Sequence, residues 1–181
     1  APGRFAKVVG TLTANGINIL SAQLFSRADG VMIRTFQVSD GRGAALADET
    51  VWQRFARDLR AVILEQVAVR DLIKARRGEL LSRPRPTGAE IQTRIEFDNV
   101  VSERFTVIDV RAQDRLGLLY VIASTLSDLD VDVSLAKITT EVDQAMDVFY
   151  ATERDGRKLP EGQRMEAIRE ALTRAIAEGI A

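Results

Sequence analysis

The spacing of apolar residues defines the elements at the start of the chain. Phe5, Val8, Val9 and Leu12 fall at i, i+3, i+4 and i+7, one face of a helix. Asn15-Gly16 supplies its stop, because both residues tolerate the left-handed backbone at a helix end. "INILSAQLFS" then reads as a strand, "RADG" as an Asp-Gly hairpin turn and "VMIRTFQVS" as the return strand. After the loop "DGRGAALADE", Val51, Phe55, Leu59, Val62, Val69 and Ile73 approximate a second helical face between about Glu49 and Arg77. Gln66 interrupts that stripe, which predicts two helices at an angle. Residues 78–90, "GELLSRPRPTGAE", concentrate Pro and Gly and read as a linker or long surface loop. "TRIEFDN" and "RFTVIDVRA" follow as strands.

From Gln113 to Leu159 the pattern repeats. With Gly3 laid on Gly117, the helix stripe Phe5, Val8, Leu12 falls on Leu119, Ile122, Leu126, and "INI" falls on "VDV". One residue is lost in the hairpin, after which Phe36, Gly43 and Leu46 meet Phe149, Gly156 and Leu159. The order turn, helix, turn, strand, hairpin, strand is common to both stretches, and a closing helix near 161–177 parallels the long helical stretch of the first copy. The second copy adds a strand ahead of its turn, so the unit is β-α-β-β-α. "TRIEFDN" is available as a fourth strand for the first copy. The expectation is an α+β protein of two ferredoxin-like βαββαβ repeats, antiparallel sheets with helices on one face, with the first strand of the first repeat missing. Residues 1–99 form repeat 1, including the 78–90 loop, and 100–181 form repeat 2. On this reading the chain begins partway through a turn whose preceding strand lies upstream.

Composition narrows the chemistry. The formal net charge is −1, which makes no electrostatic case for nucleic acid or an anionic membrane. There is neither cysteine nor histidine, so thiol nucleophiles, imidazole acid–base pairs and the usual zinc ligand sets are excluded. No catalytic residue and no metal site is predicted. Asp128, Asp130 and Asp132 alternate with apolar residues and lack a fourth hard ligand at evident spacing. The basic stretch "KARR", with Arg83 and Arg85, lacks interleaved aromatics and reads as a solvated helix end and linker.

The sharpest local feature is "DRLG", Asp114 to Gly117, between a strand and a helix. A helix start exposes unpaired backbone N–H groups that suit a carboxylate, while Asp114 suits an ammonium group; together they fit an α-amino acid. Asp132, and Asn18 in the first copy, place a polar side chain at the start of the following strand. The plain alternative is that Asp114 caps the helix and Gly117 makes a tight turn.

The stretch "DRLGLL…ASTLSDLDVDVSLAKITT…MDVFYATERDGRKL" resembles an ACT domain, the small amino-acid-sensing βαββαβ module. "DVFYATERDGRKL", the first copy's "RTFQVSDGRGAAL" and the bridge "TRIEFDNVVSERFTVIDVRAQDRLGLL" resemble the carboxy-terminal tandem ACT region of bifunctional protein-PII uridylyltransferase/uridylyl-removing enzymes, over nearly the whole chain. The resemblance implies glutamine sensing that shifts a parent enzyme from uridylylating PII toward removing the group. It implies a ligand loop of Asp114, Arg115, Leu116, Gly117 and Leu118 with Asp132 and Val133 opposite. In the first copy it implies Pro2 and Gly3 with Asn18 and Ile19. Leu116 stands where the motif commonly has proline, and Asp132 where it commonly has asparagine. The family's nucleotidyltransferase and hydrolase motifs, which need divalent metal, have no counterpart here, so the chain carries neither reaction and no cofactor of its own.

Its expected partners are an amino acid, glutamine by the resemblance, the parent's catalytic domains and PII, in the cytoplasm, with no nucleic acid and no membrane. An open sheet edge would also favour homodimers. The alternatives are a free-standing tandem-ACT sensor, or the regulatory part of another amino-acid enzyme. An RNA-binding module with the same strand order would need stacking aromatics on its central strands, which "FTVIDVRA" and "MDVFYATE" do not provide.

Overall fold

The structure, a computed structural model, describes residues 3–26, 32–40, 43–76, 78, 91–115, 117–141 and 144–180. Helix α1 (Arg4–Ala14) buries Phe5, Val9 and Leu12, the stripe its periodicity predicts. It ends as Gly16 N donates to Thr13 O (2.8 Å) and Ile17 N to Leu12 O (3.0 Å), which closes the last turn. Strands β1 (Asn18–Ser26) and β2 (Met32–Ser39) form an antiparallel pair with an irregularity between Ile19 and Ser21. The long helical stretch is two helices, α2 (Glu49–Ile63) and α3 (Val69–Ala75), broken where Glu65 takes φ 58° just before Gln66. Asp48 caps α2 by accepting from Thr50 N at 2.9 Å.

The second repeat runs β4 (Thr106–Gln113), α4 (Leu118–Asp128), β5 (Val131–Glu141), β6 (Gln144–Glu153) and α5 (Gln163–Glu178). Its backbone follows the first in detail. Each lead helix follows a left-handed glycine, Gly3 at φ 77° and Gly117 at φ 87°. Each following strand carries its irregularity at the same place, here between Val133 and Leu135. The hairpin exits match too: Asp40 N bonds Ala44 O at 2.9 Å, and Glu153 N bonds Arg157 O at 2.8 Å. The two ferredoxin-like repeats are present.

One strand lies elsewhere than expected. β3 (Arg94–Asp98), the "TRIEFDN" strand, does not complete the first repeat. It pairs antiparallel with β4, from Arg94 opposite Arg111 to Asp98 opposite Val107, giving a four-stranded sheet in the order β3-β4-β6-β5. The second sheet therefore starts at residue 94, ahead of the expected boundary at 99/100. The cause is local: the connection to β4 is short and self-bonded. Asp98 Oδ1 accepts from Val101 N (2.9 Å), Ser102 Oγ accepts from Phe105 N (3.2 Å), and Thr106 Oγ1 donates to Asn99 (2.6 Å). Strands joined so closely pair with each other. Among the described residues the first sheet has two strands, β1 and β2.

The repeats pack as one body. β1 runs beside β5, and α1 lies against α4. A single core extends across both, with Ile108, Ile122, Leu126, Phe149, Ile168 and Leu172 fully buried and Val9, Leu12 and Ile17 joining from the first repeat. Each large apolar side chain so buried contributes about 1.5–3 kcal/mol.

A polar cluster anchors the end of α1. Arg76 forms an ion pair with the buried Asp58 at 2.7 Å and donates to Ala14 O at 3.4 Å. Asn15 Nδ2 donates to Asp58 at 3.1 Å, and Arg54 Nε donates to Asn15 at 2.9 Å. Arg76 is thus not the solvated helix end that "KARR" predicts; the α1 terminus needs its charge. Burial raises the Asp58 pKa, but the Arg76 and Asn15 hydrogen bonds and the Arg76 charge outweigh it and leave the carboxyl below its ordinary value. The stability this group contributes is present above the ordinary carboxylate range and is lost as pH falls through it. Arg76→Ala strands a buried carboxylate and is expected to cost about 3 kcal/mol. A lowered urea-unfolding midpoint checks this; an unchanged midpoint would show that the pair contributes nothing.

Candidate functional site

Asp114, Arg115 and Gly117 lie between β4 and α4. Gly117 is the N-cap of α4, so Asp114 does not cap the helix. Leu118 N donates back to Arg115 O at 3.0 Å, and Val121 N to Gly117 O at 2.9 Å. Glycine is required at 117 on two counts. Its φ of 87° disfavours other residues, and a Cβ there would lie 2.9 Å from Ile180 Cγ2 and 3.2 Å from Thr13 Cγ2. Thr13 belongs to α1, so this turn of the second repeat rests directly on the first.

That contact builds a cleft across the repeat boundary. Asp114, Arg115, Gly117, Leu118 and Leu119 line one side; Thr13, Ile17, Asn18 and Ile19 line the other. Ile138, Ala145 and Asp147 supply the remainder. The enclosed space is about 20 Å³, room for a water molecule, so a larger guest requires the walls to part.

Of the residues predicted from sequence, the structure brings Asp114, Arg115, Gly117 and Leu118 together with Asn18 and Ile19. It does not set Asp132 and Val133 opposite the 114–118 turn. Asp132 is exposed and stands in register with Thr152. The reason is how the repeats pack: with β1 beside β5 and α1 against α4, the second repeat's turn faces the first repeat's strand start. Gly3 shows the mirror contact, a Cβ there lying 3.1 Å from Ser127 Oγ, and Ser127 is the counterpart of Thr13. Pro2 and Leu116 lie outside the described residues.

Sequence reasoning missed Asp147. Alternation along β6 places it on the same inward face as Ala145, Phe149 and Ala151, a signal present in "QAMDVFYATE". It is 2% exposed, stands between Val110 of β4 and Ile138 of β5, and its Oδ1 has no hydrogen-bond partner. Burial raises its pKa to about 8, helped by the charges of Asp114 and Asp109 and opposed by the Thr139 backbone N–H. The first repeat carries Arg34 at the corresponding inward position, with a buried Nε that also has no hydrogen-bond partner. Burial, and then the nearby Arg4, lower the Arg34 pKa. Among the described residues no three His, Cys, Asp or Glu side chains gather as metal ligands, and no helix is long and apolar enough to cross a membrane.

Two ferredoxin-like repeats packed through adjacent strands, with a turn–glycine–helix cleft where they meet, define a tandem ACT-like module. The ACR9-like, ACT-like domain family matches residues 94–180, a span that opens at β3 as the sheet does. Over nearly its whole length it is homologous to bifunctional uridylyltransferase/uridylyl-removing enzymes. The Rhodospirillum rubrum enzyme is 30% identical over 99% of the chain, and the Gluconobacter oxydans enzyme 31% over 97%. The Erythrobacter litoralis enzyme is 35% identical over 98%. The chain spans about 19% of the length of these relatives. No solved structure matches it significantly.

Two outcomes follow from this geometry. Gly117→Ala is expected to destabilise the fold by about 1–3 kcal/mol through its backbone conformation and the contacts with Ile180 and Thr13; an unfolding midpoint equal to wild type would contradict the close approach. From the ordinary Asp pKa of 3.8 up to about 8, the folded protein retains the Asp147 proton that the unfolded chain has lost. Stability contributed by this group therefore falls as pH rises through that window. Asp147→Asn should raise Tm more at pH 8 than at pH 5, whereas an equal change at both would mean that the carboxyl is not buried.

Proposed function

We propose that this chain is the amino-acid-sensing regulatory part of a bifunctional uridylyltransferase/uridylyl-removing enzyme, with glutamine as its ligand and no catalysis of its own. The observation that carries this reading is the cleft itself: a turn at a helix start, Asp114 and Arg115 meet Asn18 and Ile19 from the other repeat. Backbone N–H groups at the start of α4 and the Arg115 guanidinium suit an α-carboxylate, the acidic residues of the cleft suit an α-ammonium, and Asn18 suits an amide side chain. The names of the homologous relatives supply the parent activity.

The closed cleft supports a regulatory role on physical grounds. A ligand that enters only when the repeats separate binds an arrangement different from the empty one. Its binding free energy then becomes a preference between two relations of the repeats and of whatever is attached to them. In this reading the attached parts are the parent's catalytic domains, which act on PII in the cytoplasm and hold the divalent metal, while this chain needs no cofactor. A thermal-shift panel of the amino acids with the whole chain tests the reading. Glutamine at millimolar concentration is expected to raise Tm more than any other amino acid; no shift with any of them would overturn it.

A further inference from the structure

The two repeats match in backbone but differ in chemistry at one inward position, which holds a carboxyl group in the second repeat and a guanidinium in the first. Asp147 on β6 is buried, its Oδ1 without a hydrogen-bond partner, and it lines the cleft with Asp114. The residue at the same place in the first repeat is Arg34 on β2, whose surroundings add a second cation, Arg4. An ammonium group that finds an acceptor at Asp147 meets cations at Arg34 and Arg4.

We infer that the module holds one amino acid per chain, in the cleft that Asp114, Arg115 and Gly117 form with Asn18, and that Asp147 determines its specificity by accepting the ligand's α-ammonium group. This rests on the amino-acid reading above and adds to it a residue and a stoichiometry. The ammonium donates to the unpartnered Oδ1, satisfying a buried acceptor at the site where an uncompensated carboxylate is most costly. Arg34 at the equivalent place repels the same group, so the first repeat offers no second acceptor for this ligand.

Proton balance gives a separate readout. Asp147 is faced by Asp114 from the turn and Asp109 from β4, while Arg115 is the cation of the same cleft. Among the described residues the other lining positions, from α1, β1, β5 and β6, bring no charge. An arriving ammonium replaces the carboxyl proton, which leaves to buffer.

The experiment is calorimetry on the whole chain with L-glutamine and with glutaramate, which is glutamine without its α-amino group. Wild type is expected to take up one glutamine per chain and to bind glutaramate about tenfold or more weakly. Its heat at neutral pH should vary with buffer ionisation enthalpy as protons are released. Asp147→Asn should lose about tenfold or more in glutamine affinity, discriminate little against glutaramate, and release no proton. Arg34→Gln should leave glutamine affinity unchanged. Two glutamines per chain, equal affinity for both compounds in wild type, or undiminished binding by Asp147→Asn would overturn the inference while leaving the amino-acid reading intact. No amino acid bound by wild type would overturn both. If Asp147→Asn fails to fold, the wild-type comparison of glutamine with glutaramate decides alone.

Discussion

Close approach of the two repeats is the constraint on which the rest of this structure depends. At one contact the second repeat's turn meets Thr13 of α1 across Gly117, with no room for a side chain between them. At another, a Cβ on Gly10 would lie 2.3 Å from Val69 Cγ1 and 2.5 Å from the Tyr120 ring, so α1 fits between α3 and α4 only as glycine. These contacts bring α1 against α4 and β1 beside β5, and they carry Asn18 to the turn that begins at Asp114. Without them the cleft would have only one wall.

The Asp58 cluster supports the same arrangement from the other side. A buried carboxylate held by Arg76 and Asn15 ties the end of α1 to α2 and to the residue after α3, so the helix that forms the first repeat's share of the cleft wall is fixed at its terminus. Such a pair adds little net stability over an apolar alternative, yet its geometry is demanding and its loss is costly. Position, more than stability, is what it supplies.

Much of the fold was legible in the sequence because the signals were local and occurred in both copies. Helix stripes, the Asn-Gly turn and the Gly3/Gly117 alignment each report on neighbouring residues; the Asp-Gly turn at 29–30 lies outside the described residues. The strand at 94–98 was misplaced because alternation identifies a strand without naming its partner; the short bonded connection to β4 decided that. The cleft was half legible. Asp114, Gly117 and Asn18 were found as members of equivalent turns, but which turn faces which strand depends on packing between repeats, and no local pattern reports it. Asp147 was within reach: a charged residue at an inward position of an alternating strand is a conflict between pattern and burial, and such conflicts mark functional sites.

The central claim is that the ligand site is shared between the repeats. At 20.0 kDa the chain is small enough for backbone amide assignment by NMR, and titration with L-glutamine tests the claim most directly. The account predicts that the amides of Asn18 and Ile19 shift together with those of Gly117, Leu118 and Asp147, with one saturation curve for all. Shifts confined to Gly117, Leu118, Asp132 and Val133, with Asn18 and Ile19 unmoved, would place the ligand within one repeat and contradict it.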